Sequence, residues 1–137
     1  MNGEPDPPEP ARRLAGHVED LERAGVLVVP LARAHPRIVR EALVVRTAAG
    51  EPRAYLNECK HLPIPLDAGS RQFFDHGKTA LMCGTHGALF RLEDGRCFAG
   101  PCRGDALRAL EVTRTPDGML WVTDPGTDPA ERPLVRR

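Results

Sequence analysis

Two short stretches of this chain carry thiol and imidazole side by side: Cys59-Lys60-His61 and Cys83-Gly84-Thr85-His86. Each pair follows a short apolar run and stands among Gly or Pro, so each is expected in a loop at the end of a strand. A spacing of one or two residues lets both side chains of a pair converge on one small object. Twenty-one residues separate His61 from Cys83, so a scaffold has to bring the two loops together. Whatever this chain folds into must deliver two thiols and two imidazoles to one place.

The scaffold is built from short pieces. Pro occurs 14 times and Gly 13 times in 137 residues, which breaks long helices and multiplies turns. Aromatic residues are only 4% of the chain, so the core rests on Val, Leu and Ala. Leu14, Val18 and Leu21 recur at helical spacing and predict a short helix or turn within Leu14–Ala24. Val26–Leu31 reads as a strand. Ile38–Thr47 and Arg53–Asn57, joined through Ala49-Gly50, read as a hairpin, and Thr79–Met82 as a strand ending at Cys83. Leu89–Leu92 and Arg96–Phe98 flank Asp94-Gly95, a hairpin signal, and Leu110–Thr115 and Met119–Thr123 flank Pro116-Asp117-Gly118. About eight short strands with frequent turns predict an all-β sandwich or barrel.

Composition narrows the function. Lys plus Arg and Asp plus Glu are 19 each, so no net positive charge favours nucleic acid. No run approaches the roughly 20 apolar residues that cross a bilayer. The opening MNGEPDPPEP has no basic start and no apolar core, so it does not read as a secretory signal. The expected compartment is the cytoplasm, where the four Cys stay reduced and serve as metal ligands or free thiols.

Two thiolates and two imidazoles suit two kinds of centre. One is a tetrahedral zinc site. The other is a 2Fe–2S cluster in which two His replace two Cys on one iron. Common zinc fingers pair Cys with Cys and His with His. Here each loop supplies one of each, so each loop reaches both irons of a dinuclear cluster, which favours the second.

The segment from Ala42 to Val112 resembles a Rieske 2Fe–2S domain. The boxes are LNECKHLPIPLD and MCGTHGALFRLEDGRCFAGPCRGDALRALEV, the second followed through to a Gly100-Pro101 loop. The resemblance implies an antiparallel β-sandwich with a small cluster-binding subdomain and flexible Pro-rich termini. Residues 1–24 form an N-terminal tail with a possible short helix, 25–123 the Rieske domain with cluster loops at about 57–104, and 124–137 a C-terminal tail. It implies one Rieske-type cluster, with Cys59 and Cys83 on the buried iron and His61 and His86 on the outer, redox-active iron. Gly87 would let the second loop turn tightly, and Gly100-Pro101 would shield the cluster from water. Two ferric ions, two sulfides and two thiolates sum to zero charge, so the oxidised group is cheap to bury.

Departures place the expected potential. High-potential relatives link the two loops by a disulfide; Ile64 and Thr85 stand at those positions here. The Ser and Tyr hydroxyls that bond cluster sulfur in those relatives are replaced by Ala88 and Phe90. Fewer donors to sulfur place the potential in the lower half of the roughly −150 to +300 mV Rieske range. The residues around 70–77 lengthen the span between the boxes and are expected in an exposed loop. Cys97 and Cys102 read as free thiols, and His17, His35 and His76 as surface or turn residues. Phe73, Phe74 and Trp121 read as packing, and Arg91, Arg96, Arg103 and Arg108 as solvated charge.

The functional expectation is a ferredoxin-like one-electron carrier without catalytic activity of its own and without a small-molecule substrate. Its partners would be a flavoprotein reductase on one side and an oxygenase or other terminal enzyme on the other. A small Rieske subunit of a larger oxidoreductase and a structural zinc or metal-binding module are the alternatives. A complete Rieske oxygenase needs a further 2-His-1-carboxylate iron site, and no such set remains once the cluster ligands are used.

Overall fold

Ala42, Leu43, Val44 and Val45 form an unbroken apolar run. Successive side chains of a strand point to opposite faces, so such a run needs cover on both sides. The structure, a computed structural model, describes residues 11–33, 40–58, 66, 72–75, 77, 79–83, 87–100 and 104–126. Among them run β1 (Arg12–His17), α1 (Val18–Ala24), β2 (Val26–Pro30), β3 (Glu41–Arg46), β4 (Pro52–Leu56), β5 (Ala80–Met82), β6 (Leu89–Arg91), β7 (Cys97–Ala99), β8 (Ala109–Leu110), β9 (Val112–Arg114) and β10 (Met119–Thr123). Three antiparallel sheets result, in the orders β1-β10-β9, β2-β3-β4-β8 and β5-β6-β7.

The apolar run is the middle of the central sheet, and it is covered on both faces. Ala42 and Val44 join Leu21, Val29, Ala54, Leu56, Leu120 and Val122 in one core, shared with the β1-β10-β9 sheet. Leu43 and Val45 join Tyr55, Leu66, Phe73, Leu81, Phe90 and Leu107 in the other, shared with the β5-β6-β7 sheet. The expected all-β sandwich with a small appended subdomain is therefore the observed architecture, and β3 is the wall between its two cores.

The hairpins at β3–β4 and β6–β7 fall where the turn residues put them. Gly50 N donates to Thr47 O at 2.8 Å and Gly95 N to Arg91 O at 2.9 Å. The third hairpin is different. β9 pairs with β10, whereas β8 pairs with β4 (Tyr55 opposite Ala109), so the chain changes sheets at Glu111. One expected strand is thus two.

The N-terminal reading needs correction. Arg12–His17, placed in the tail, is a strand paired with β10, Leu14 lying opposite Trp121. Leu14 is 49% exposed, so its helical spacing to Val18 and Leu21 joins two different elements. The helix starts at His17, whose Nδ1 accepts from Glu19 N at 3.1 Å while its own N donates to Asp20 Oδ2 at 2.9 Å. Imidazole here does the work that Ser or Asp does at most helix starts. Trp121, expected as packing, is half-buried and belongs to neither core; Phe73 does belong to one. At the other end Asp124 is buried, and 127–137 lie outside the described residues. No helix among the described residues is long and apolar enough to cross a membrane.

Candidate metal centre

The first loop leaves the central sheet at Asn57, directly after β4, and its far end is Leu66. Asn57 is 1% exposed and Leu66 is fully buried. Asn57 N donates to Glu41 O at 2.8 Å, and its Nδ2 donates to Glu41 Oε1 at 3.2 Å. Its Oδ1 accepts from Leu66 N at 2.8 Å. One side chain thus holds both ends of the loop that contains Cys59 and His61. A buried amide must satisfy its donors and acceptor locally, and each bond counted here does so. Cys59 and His61 lie outside the described residues.

The second loop is closed by backbone instead. β5 hands over to Cys83, whose N donates to Ala88 O at 2.9 Å; Gly87 N returns to Cys83 O at 2.7 Å. Gly87 takes φ 73, the left-handed conformation expected for a tight turn there. Between these bonds lies His86, outside the described residues together with Thr85 and Ile64. Cys83 is fully buried and forms no disulfide. Ala88 and Phe90, the positions lacking a hydroxyl, are fully buried as well.

A third segment presses on the second loop. Gly100 has φ 94, and a Cβ on it would stand 2.7 Å from Ala88 Cα. The Gly100 backbone therefore lies directly against Ala88. Pro101 and Cys102 are outside the described residues. Cys97 forms no disulfide; its Sγ donates to Ala99 O at 3.1 Å. Arg91 and Arg96 are exposed, Arg91 lying 3.4 Å from Asp94. His17, read as a surface or turn residue, is the helix cap described above. His35 and His76 lie outside the described residues, as does Arg103.

What the fold brings together is the base of both loops. Leu66, which ends the first, and Cys83 and Ala88, which bound the second, share one core with Phe90 and Cys97. A thiol in such surroundings is inert by itself, and a thiolate there needs a cation to offset its charge. The donor chemistry fits a 2Fe–2S group of zero net charge. Sequence reasoning missed the Glu41–Asn57–Leu66 connection. Its signal is the Asn that stands between the last strand residue and the Cys-x-His pair.

The profile of the Rieske [2Fe-2S] domain family matches residues 14–116. The oxygenase component of chloroacetanilide N-alkylformylase from Rhizorhabdus wittichii (strain DC-6 / KACC 16600) is 40% identical over 68 residues, half of this chain and 18% of that protein. The terminal oxygenase of carbazole 1,9a-dioxygenase from Nocardioides aromaticivorans IC177 superposes with a TM-score of 0.63 at 20% identity, covering 88% of this chain and 32% of the oxygenase. A Mycobacterium tuberculosis protein assigned as the small subunit of an NADH-dependent nitrite reductase gives a TM-score of 0.58 at 18% identity, over 86% of this chain and 98% of that one. This chain therefore spans less than a fifth of its curated relative and about a third of the oxygenase structure.

Proposed function

The chain belongs to the Rieske [2Fe-2S] domain family, and from that premise we propose that it is a ferredoxin-like one-electron carrier, moving electrons from a flavoprotein reductase to an oxygenase or other terminal oxidoreductase. A domain of this family has an iron–sulfur electron-transfer role and holds one Rieske-type 2Fe–2S cluster, which supplies reversible one-electron chemistry. The proposed ligands are Cys59, His61, Cys83 and His86. The observation that carries this reading is the shared core beneath both ligand loops, with Cys83 fully buried in it.

The chain's own residues would divide the work. Cys83 anchors the second loop at the apolar base. The Gly100 backbone, packed on Ala88, keeps water from that side. Buried Ala88 and Phe90 offer no hydroxyl to a neighbouring sulfide, which keeps the expected potential low. The 40% identity to part of an oxygenase component supports a place for this domain in electron transfer to oxygenase chemistry. A second reading, a small subunit held in a larger oxidoreductase, is favoured by the 98% coverage of the nitrite reductase small subunit.

Anaerobic purification followed by iron, sulfide and zinc analysis, electron resonance and potentiometry tests the first reading. Two irons per chain are expected, with the rhombic signal of mixed His/Cys ligation. Zinc without iron would remove the proposal, and a potential above roughly +200 mV would remove its low-potential part. The native size in a lysate of its source cells separates a free carrier from a bound subunit.

A further inference from the structure

We infer that Asn57 is the positioning residue of the first ligand loop, a latch whose closure sets how firmly that loop holds its cargo; the inference rests on the cluster reading above. The two loops are secured by different means. The second closes on its own backbone, through Cys83 N to Ala88 O and Gly87 N to Cys83 O. The first spans 57 to 66, and among the described residues the bond that reaches across it is Asn57 Oδ1 accepting from Leu66 N at 2.8 Å. Ile64 and Thr85 stand where high-potential relatives carry the cysteines that link the two loops.

The latch is itself held rigid. Asn57 is clamped to Glu41 through its backbone N at 2.8 Å and its Nδ2 at 3.2 Å. Glu41 opens β3, the strand covered on both faces, and is 8% exposed. The order of donors and acceptors is fixed: the Glu41 carboxylate accepts, so the Asn57 amide presents Nδ2 to it and turns Oδ1 towards Leu66. Only an amide of this length offers a donor on one side and an acceptor on the other. The route from the rigid central sheet to the Cys59–His61 loop thus runs through two buried polar side chains and one backbone amide.

The chemistry gives a paired test on the protein as purified. Asn57→Asp keeps the shape and the acceptor for Leu66 N but sets a second carboxyl group against Glu41, where one of them must lose its bond. Adding Glu41→Gln restores a donor facing an acceptor, with the direction reversed. Iron release to a ferrous chelator is expected to be about tenfold faster in Asn57→Asp and to return to within about threefold of the parent in the double variant. Hydrogen exchange in the segment holding Leu66 is expected to follow the same order, while exchange in β3 stays unchanged. A double variant no better than Asn57→Asp, or Leu66 exchange indifferent to Asn57→Asp, would overturn the latch. If the parent protein contains no iron, the cluster reading fails, and the exchange measurement still decides whether Asn57 closes the loop.

Discussion

Tyr55 is the one tyrosine in the chain, and its hydroxyl donates to Leu92 O at 2.7 Å inside the core beneath the cluster loops. Burial pushes its pKa up to about 12; Arg53 opposes the shift, while Asp94 and Glu93 add to it. A folded pKa above the unfolded one favours the native state fully below the unfolded value of 10.0 and loses that favour as pH rises towards 12. Absorbance titration near 295 nm is expected to show no tyrosinate until the pH nears that value or the protein unfolds. Ionisation near pH 10 with the fold intact would contradict the buried hydroxyl. Tyr55→Phe removes the bond without opening a cavity, and a loss of about 1–2 kcal/mol in urea unfolding is expected. Asp124 shows the opposite linkage. Burial raises its pKa, but the Gly126 and Ala32 amides and the Arg13 guanidinium together outweigh burial and hold it below the ordinary carboxylate value. The bonds measure 2.9, 2.8 and 2.8 Å. Its contribution is present above the unfolded pKa and is lost as pH falls through the lowered folded one. Asp124→Asn is therefore expected to lower stability by a constant amount above about pH 4, which flattens the acid side of the profile and leaves the slope of the alkaline side unchanged, read by thermal melts.

At the scale of elements, two glycines on neighbouring loops separate backbone conformation from contact. Both Gly87 and Gly100 have positive φ, 73 and 94. A Cβ on Gly87 meets nothing within 4 Å, whereas one on Gly100 would stand 2.7 Å from Ala88 Cα. Gly87→Ala is expected to cost about 1 kcal/mol, the strain alone, and Gly100→Ala about 2–4 kcal/mol, because backbone has to move. Equal losses in denaturant unfolding would mean that the Gly100 segment does not press on the second loop. Elements were legible where local chemistry decides them. Asp94-Gly95 announces the β6–β7 turn, and Ala49-Gly50 announces the one between β3 and β4. They were not legible where a distant partner decides. Leu14 carries helical spacing yet pairs with Trp121, more than a hundred residues away. Nothing local distinguishes Leu110, bound for β4, from Val112, bound for β10.

For the whole molecule, the candidate ligands could be read from spacing, because each Cys and His pair is local. The Asn57 latch and the Gly100–Ala88 contact could not, since they join residues that only the three-sheet arrangement makes neighbours. That arrangement also distributes stability unevenly. β3 has a core on each face and five buried residues in a strand of six. The β5-β6-β7 sheet has three residues per strand and one core, and it ends in the second ligand loop. Short strands with cover on one face open by sub-global fluctuation before the whole domain unfolds. A group bound across both loops stabilises only the closed form and so suppresses that opening. Hydrogen exchange on the purified protein is expected to show β3 and β4 as the slowest segments. Chelating the iron is expected to raise exchange in β5, β6 and β7 by at least about tenfold more than in β3. Uniform acceleration in all three sheets would mean that the molecule opens as one unit. The central sheet would then not be an independent support for the loops, and the group they hold would be needed for the whole fold.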